Sequence, residues 1–194
     1  YWFHQNPELS GNERQTTEKL RQILSANGVE LLQTTLQTGL VAIVRGDAPG
    51  PTVALRGDID ALPVTEESGL DYASCHSGTM HACGHDFHMT ALLGAALLLQ
   101  AQRESLAGNV KLVFQPSEEH SNGAESVLRT GALDDVSEIY GIHVMPGVTP
   151  GAVALCAGAN HAAVGWFEIS IVGRGGHAAM PHASADPIVA LGQL

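Results

Sequence analysis

Four short apolar runs, at 40–44, 52–55, 110–114 and 139–144, are each bounded by glycine, proline or polar residues, and stretches of helical character separate them. Short, mainly apolar runs of this kind read as buried strands. Strands alternating with helices read in turn as an α/β sheet with helices on both sides. The helical stretches are an Ala- and Leu-rich segment at 89–102, a shorter one at 123–133, and 11–27. At 11–27, Ser10 and Glu13 have the spacing of a capping box, Leu20, Ile23 and Leu24 recur at helical intervals, and Gly28 supplies the stop. A chain of 194 residues, 44% of them hydrophobic, has room for one such core, or for one and part of another.

From about residue 162 the texture changes. Trp166, Glu168, Ser170 and Val172 alternate with Phe167, Ile169 and Ile171, the period of a strand with two unlike faces, and Gly173, Gly175 and Gly176 end it. Asp186 before Pro187 reads as the cap and first position of a helix running to Leu194. The expected boundary therefore separates 1–161 from 162–194. Nine Lys and Arg against 20 Asp and Glu leave a net charge of −11, which repels phosphate backbones and anionic lipid, so neither nucleic acid nor membrane is an expected partner. Cys75, Cys83 and Cys156 are too few, and odd in number, for a disulfide framework, which fits a reducing, cytoplasmic setting.

In an α/β sheet the loops at the carboxyl ends of the strands converge on one crevice, and here those loops carry chemistry. The second run leads into Arg56-Gly57-Asp58-Ile59-Asp60, the third into Gln115-Pro116-Ser117-Glu118-Glu119, and the fourth ends on His143. Met80-His81-Ala82-Cys83-Gly84-His85-Asp86 lies just before the Ala-rich helix. Cys83 and His85, one glycine apart, can turn toward one ion; taken alone they also suit a buried thiol beside a capping loop. Two adjacent carboxylates, Glu118 and Glu119, oppose one another unless a cation or a shared proton relieves them, and one can then ligate while the other moves a proton. His143 reads as a core histidine in isolation and as a ligand beside these clusters; Asp60 reads either as the acceptor orienting a ligating imidazole or as a turn cap. His177, in a Gly-rich stretch, is undecided on its own residues.

The ordered segments R-G-D-I-D-A-L-P-V, M-H-A-C-G-H-D-F-H, F-Q-P-S-E-E, G-I-H-V-M-P and G-R-G-G-H-A-A-M-P-H resemble those of metal-dependent N-acyl-amino-acid amidohydrolases. The branch they resemble is that of the hippurate and indoleacetyl-amino acid hydrolases, in the zinc-exopeptidase-like superfamily. The resemblance implies a three-layer α/β/α sandwich with a mostly parallel sheet, followed by the start of an α+β lid through which two copies dimerise. It implies two divalent ions (Zn, Mn or Co) held by Cys83, His85, Glu119 and His143, with Glu118 as general base and His177 stabilising an oxyanion. The implied reaction cleaves the amide of a small N-acyl amino acid. A dipeptidase or carboxypeptidase of the same superfamily, and a non-catalytic metal-binding or dimerisation fragment, are the alternatives. One further ligating histidine of the family has no counterpart here, and Ala159-Asn160-His161 departs from the family's usual Pro-Leu-Met-like stretch.

Overall fold

The structure, a computed structural model, describes residues 1–120, 122–160, 162, 165 and 167–194. It contains two compact units, Tyr1–Gly147 and Val148–Leu194.

In the first unit, α1 (Trp2–Gln5) and α2 (Arg14–Ala26) precede β1 (Glu30–Leu31), β2 (Leu40–Arg45) and β3 (Ala48–Asp58). After these come α3 (His85–Ala101), β4 (Ala107–Gln115), α4 (Gly123–Leu128) and β5 (Val136–Gly141). All four expected strands form, but the fourth, β5, ends at Gly141 and is an exposed edge strand rather than a buried one; the sheet order is β1-β2-β4-β3-β5. The β4–β3 and β3–β5 pairings are parallel, whereas β1–β2 and β2–β4 are antiparallel. The sheet is therefore mixed, because β2 runs against its neighbours. Alternation along the strands feeds two layers: Leu40, Ala42, Val44, Leu112 and Phe114 pack with Leu20, Leu24, Met89 and Ala96 on one face. Val41, Ala54 and Val113 pack with Val127 of α4 on the other. This is the expected α/β sandwich, with a thinner layer on the α4 side.

Two local readings change. The capping box at Ser10 and Glu13 does not form: α2 begins at Arg14, and the carboxylate of Glu8 instead accepts the Gln15 and Thr16 N–H groups at 3.1 and 2.8 Å. The Ser10 hydroxyl and the Glu13 carboxyl are engaged elsewhere, with Asp60, Thr38 and Ser117. The Ala-rich helix starts at His85, four residues earlier than the apolar pattern suggests, because Gly84 caps it in the left-handed conformation (φ 85°). A Cβ on Gly84 would lie 2.4 Å from Val144 Cγ2, so glycine is required both for the turn and for the approach of the 143–144 loop.

In the second unit, Asp186 caps α5 (Pro187–Leu191) as expected, its Oδ1 accepting the Ile188 N–H at 2.9 Å. The helix stops at Leu191. Arg174 and Ala185 exchange two backbone hydrogen bonds of 2.9 Å and close the Gly-rich segment between them. The alternating segment at 167–172 does not form a strand: among the described residues no partner strand takes up its backbone groups. Trp166 and His161 lie outside the described residues. Among the described residues no helix is long and apolar enough to cross a membrane.

Candidate metal centre

The carboxyl ends of β3 and β4 and the first turn of α3 meet at one edge of the sheet, because β3 and β4 run parallel in a register that pairs Asp58 with Gln115. The strands deliver Asp58 and Asp60 on one side and Glu118 and Glu119 on the other. Helix α3 presents His85 and His88, one turn apart, on the buried face that continues through Met89 and Leu92. Beyond β5, the loop after Gly141 brings in His143.

His85 is the hub. Its Nδ1 lies 2.8 Å from the Asp60 carbonyl oxygen and 3.2 Å from Asp60 Oδ1, both acceptors, so Nδ1 carries the proton and donates to them. The Nε2 lone pair then faces three carboxylates, with Asp58 Oδ2 at 3.6 Å, Glu119 Oε1 at 3.7 Å and Glu118 Oε2 at 3.9 Å. These gaps are too long for hydrogen bonds. His85 Nε2 and Glu119 Oε1 are both buried and have no hydrogen-bond partner. Cys83 Sγ lies 3.4 Å from His143 Nε2, whose ring is oriented by Nδ1 donating to the Val144 carbonyl at 2.6 Å. The sequence-predicted donors Cys83, His85 and His143 thus converge within 4.8 Å of one another, as do His85, Glu118 and Glu119. Nitrogen and oxygen ligands each about 2.0–2.2 Å from a zinc ion lie between 3 and 4 Å apart, so this donor set fits a divalent cation.

A third group, Asp58, His85 and His88, was not foreseen as a possible set of ligands. Two of its members, Asp58 and His88, are already engaged. His88 Nε2 accepts the Val144 N–H at 2.9 Å, which fixes the proton on Nδ1, and Nδ1 donates to Asp58 Oδ1 at 2.6 Å. Arg56 Nη1 donates to Asp58 Oδ2 at 2.8 Å. Asp58 and His88 therefore hold the 143–144 loop against α3. The sequence signal was the i, i+3 spacing of His85 and His88, legible only once the helix is started at Gly84.

The charge balance follows from burial. Burial and the charge of Glu119 raise the pKa of Glu118, and burial with Glu119 and Glu118 pushes the Cys83 thiol up to about 11. Burial alone would lower the pKa of His85, but the hydrogen bond to Asp60 and the charges of Asp58, Asp60 and Glu119 raise it. Asp60 is pushed upward by burial and pulled down further, to about 2, by His85, by the Ser10 hydroxyl at 2.6 Å and by the Glu119 N–H at 3.0 Å. A carboxylate whose folded pKa lies below its unfolded value stabilises the fold above the unfolded pKa, and that contribution is lost as pH falls through the folded one. In the metal-free protein the melting temperature is accordingly expected to drop between pH 4 and pH 2, and an Asp60→Asn variant to show a smaller drop than wild type.

His177 belongs to the second unit. Its Nδ1 accepts the Ala179 N–H at 3.1 Å, which leaves Nε2–H as a donor on an exposed ring.

The family model described as Peptidase family M20/M25/M40 matches residues 54–191, and the chain belongs to this family. The chain is 48% identical over 192 residues to an N-acetyl-L-cysteine deacetylase of Bacillus subtilis, covering 99% of this chain and 46% of the relative. It is 42% identical over 192 residues to IAA-amino acid hydrolase ILR1-like 2 of Arabidopsis thaliana, covering 99% and 44%. A crystal structure of a Bacillus subtilis protein described as a dinuclear metal binding peptidase of the M20 family superposes with a TM-score of 0.74 at 46% identity, covering 75% of this chain and 41% of that one. The chain thus spans about half the length of the curated relatives it matches.

Proposed function

We propose that this chain carries the metal-binding catalytic part of an amidohydrolase that cleaves an N-acyl amino acid into a carboxylic acid and a free amino acid. The observation that carries the reading is the pair of buried, unpartnered ligand atoms His85 Nε2 and Glu119 Oε1, 3.7 Å apart, with a second carboxylate, Glu118, alongside. Similarity to a deacetylase of an N-acetyl amino acid and to an IAA-amino acid hydrolase supports the substrate class.

Cys83, His85, Glu119 and His143 would hold two divalent ions, with Asp60 orienting His85. Such ions polarise an amide carbonyl and lower the pKa of water. Glu118, whose pKa is raised, accepts the proton of the attacking water and returns it to the leaving nitrogen, so that the C–N bond breaks to an amine and a carboxylate. His177, donating from Nε2, supports the tetrahedral oxyanion. Loss of one such donor costs about 3–4 kcal/mol, so His177→Ala is expected to lower kcat about 10²–10³-fold with little change in KM. Unchanged turnover in steady-state kinetics would contradict that role.

The same reading makes 1–161 the amino-terminal part of the catalytic domain and 162–194 the beginning of a lid through which a cytoplasmic homodimer forms. Product analysis tests the substrate class: the full-length protein loaded with zinc or manganese is expected to release amino acid from N-acetyl or N-benzoyl amino acids faster than from dipeptides. The reverse preference would identify a dipeptidase or carboxypeptidase instead, and bound metal without any hydrolysis a binding module.

A further inference from the structure

The Ser10 and Glu13 pair, which does not cap α2, is joined to the loop that carries Glu118. Glu13 is wholly buried and reaches across 104 residues of sequence: its Oε1 accepts the Ser117 N–H at 2.8 Å and lies 3.4 Å from the Ser117 hydroxyl. Its Oε2 accepts the Thr38 hydroxyl at 2.7 Å. Ser117 sits at φ 50°, the one positive φ at a non-glycine residue among the described residues. An L-residue with a Cβ does not hold that conformation unaided. Two residues on, the Glu119 N–H donates to Asp60 Oδ2 at 3.0 Å, and that same oxygen accepts the Ser10 hydroxyl at 2.6 Å. The amides on either side of Glu118 are therefore each gripped by a buried carboxyl, one belonging to the amino-terminal segment and one steadied by it.

We propose that Glu13 and Ser10 are positioning residues for the Glu118-Glu119 dipeptide: Glu13 holds Ser117 in its left-handed turn, Ser10 and Asp60 anchor the next amide but one, and the two carboxylates are thereby aimed into the crevice. The catalytic part of this inference rests on the reading of Glu118 as base, whereas the ligand part rests only on Glu119 binding a cation. A capping role in α2 would involve neither, and Glu8 already fills it.

The test uses the full-length protein. Glu13→Ala is expected to lower kcat toward an N-acetyl amino acid on the order of 10²-fold while KM moves little, the effect of a small misplacement of catalytic groups. In the same variant zinc affinity, measured by competition with a chelator and needing no turnover, is expected to weaken about tenfold, and Ser10→Ala is expected to weaken it by a smaller factor. Glu13→Gln, which can still accept from Ser117 N–H, is expected to keep most of both. Adding Ser117→Gly to Glu13→Ala is expected to restore about tenfold of the lost kcat, since glycine enters positive φ without a clamp. If Glu13→Ala does not fold, Glu13→Asp, which withdraws the carboxyl by one methylene, carries the same expectations.

A folded Glu13→Ala or Glu13→Asp protein with wild-type kcat and zinc affinity would overturn the proposal, as would equal damage from Gln and Ala, or no gain from Ser117→Gly. A wild-type protein that binds zinc but hydrolyses no acylated amino acid would overturn the functional reading instead, and the zinc arm would then decide the clamp.

Discussion

Replacing Glu118 with Gln is expected to lower kcat on an N-acyl amino acid by about 10²–10⁴-fold, the span a positioned general base supplies. The amide is nearly isosteric and keeps the loop's shape, but it has no lone pair basic enough to take a proton from water at neutral pH. Zinc binding is expected to change little, because the unpartnered atoms that call for a cation are His85 Nε2 and Glu119 Oε1. Steady-state kinetics and metal analysis on the same preparation check both halves. A Glu118→Gln enzyme with wild-type turnover would remove the base from the mechanism, and one that loses its metal would make Glu118 a ligand.

His85→Ala is expected to be at least as damaging, by a different route. Among the described residues His85 belongs to every group of possible ligands at the crevice, and its Nδ1 anchors it to Asp60. Removing one ligand is expected to cost about 3 kcal/mol of zinc binding, or roughly 10²-fold in affinity. The vacated space also leaves Asp58, Asp60 and Glu119 facing one another without the imidazole between them, so the metal-free variant is expected to melt at a lower temperature than wild type at pH 7. Titration with zinc under a competing chelator, and a thermal melt, read the two effects separately. Wild-type zinc affinity in His85→Ala would contradict the assignment of the ligand.

Much of this was legible in the residues themselves. The apolar run at 40–44, and the run at 110–114 broken only by Lys111, mark strands covered on both faces, and they form the middle of the sheet. Each cluster flagged at a strand end in the first unit lies at the crevice, because parallel strands put their carboxyl ends on the same side. What misled was local chemistry with two possible partners. Ser10 and Glu13 have the spacing that satisfies a helix terminus, but the same hydroxyl and carboxyl are drawn to Asp60 and Ser117 across the fold, and spacing alone cannot rank a local acceptor against a distant one. His88 was passed over because the apolar pattern of α3 becomes evident only at Met89, and the glycine cap that begins the helix at His85 leaves no hydrophobic signature. At 167–172 alternation shows which face of a strand would be buried, not whether a neighbouring strand is present to pair with it.

Anomalous diffraction at the zinc edge from crystals of the metal-loaded, full-length protein bears most directly on the metal centre. Peaks are expected within bonding distance of Cys83 Sγ, His85 Nε2, Glu119 and His143 Nε2, with the Glu118 carboxylate close by and not bonded to metal. Peaks at another cluster, or a metal bound by Asp58 and His88 while Cys83 stays uncoordinated, would contradict the assignment.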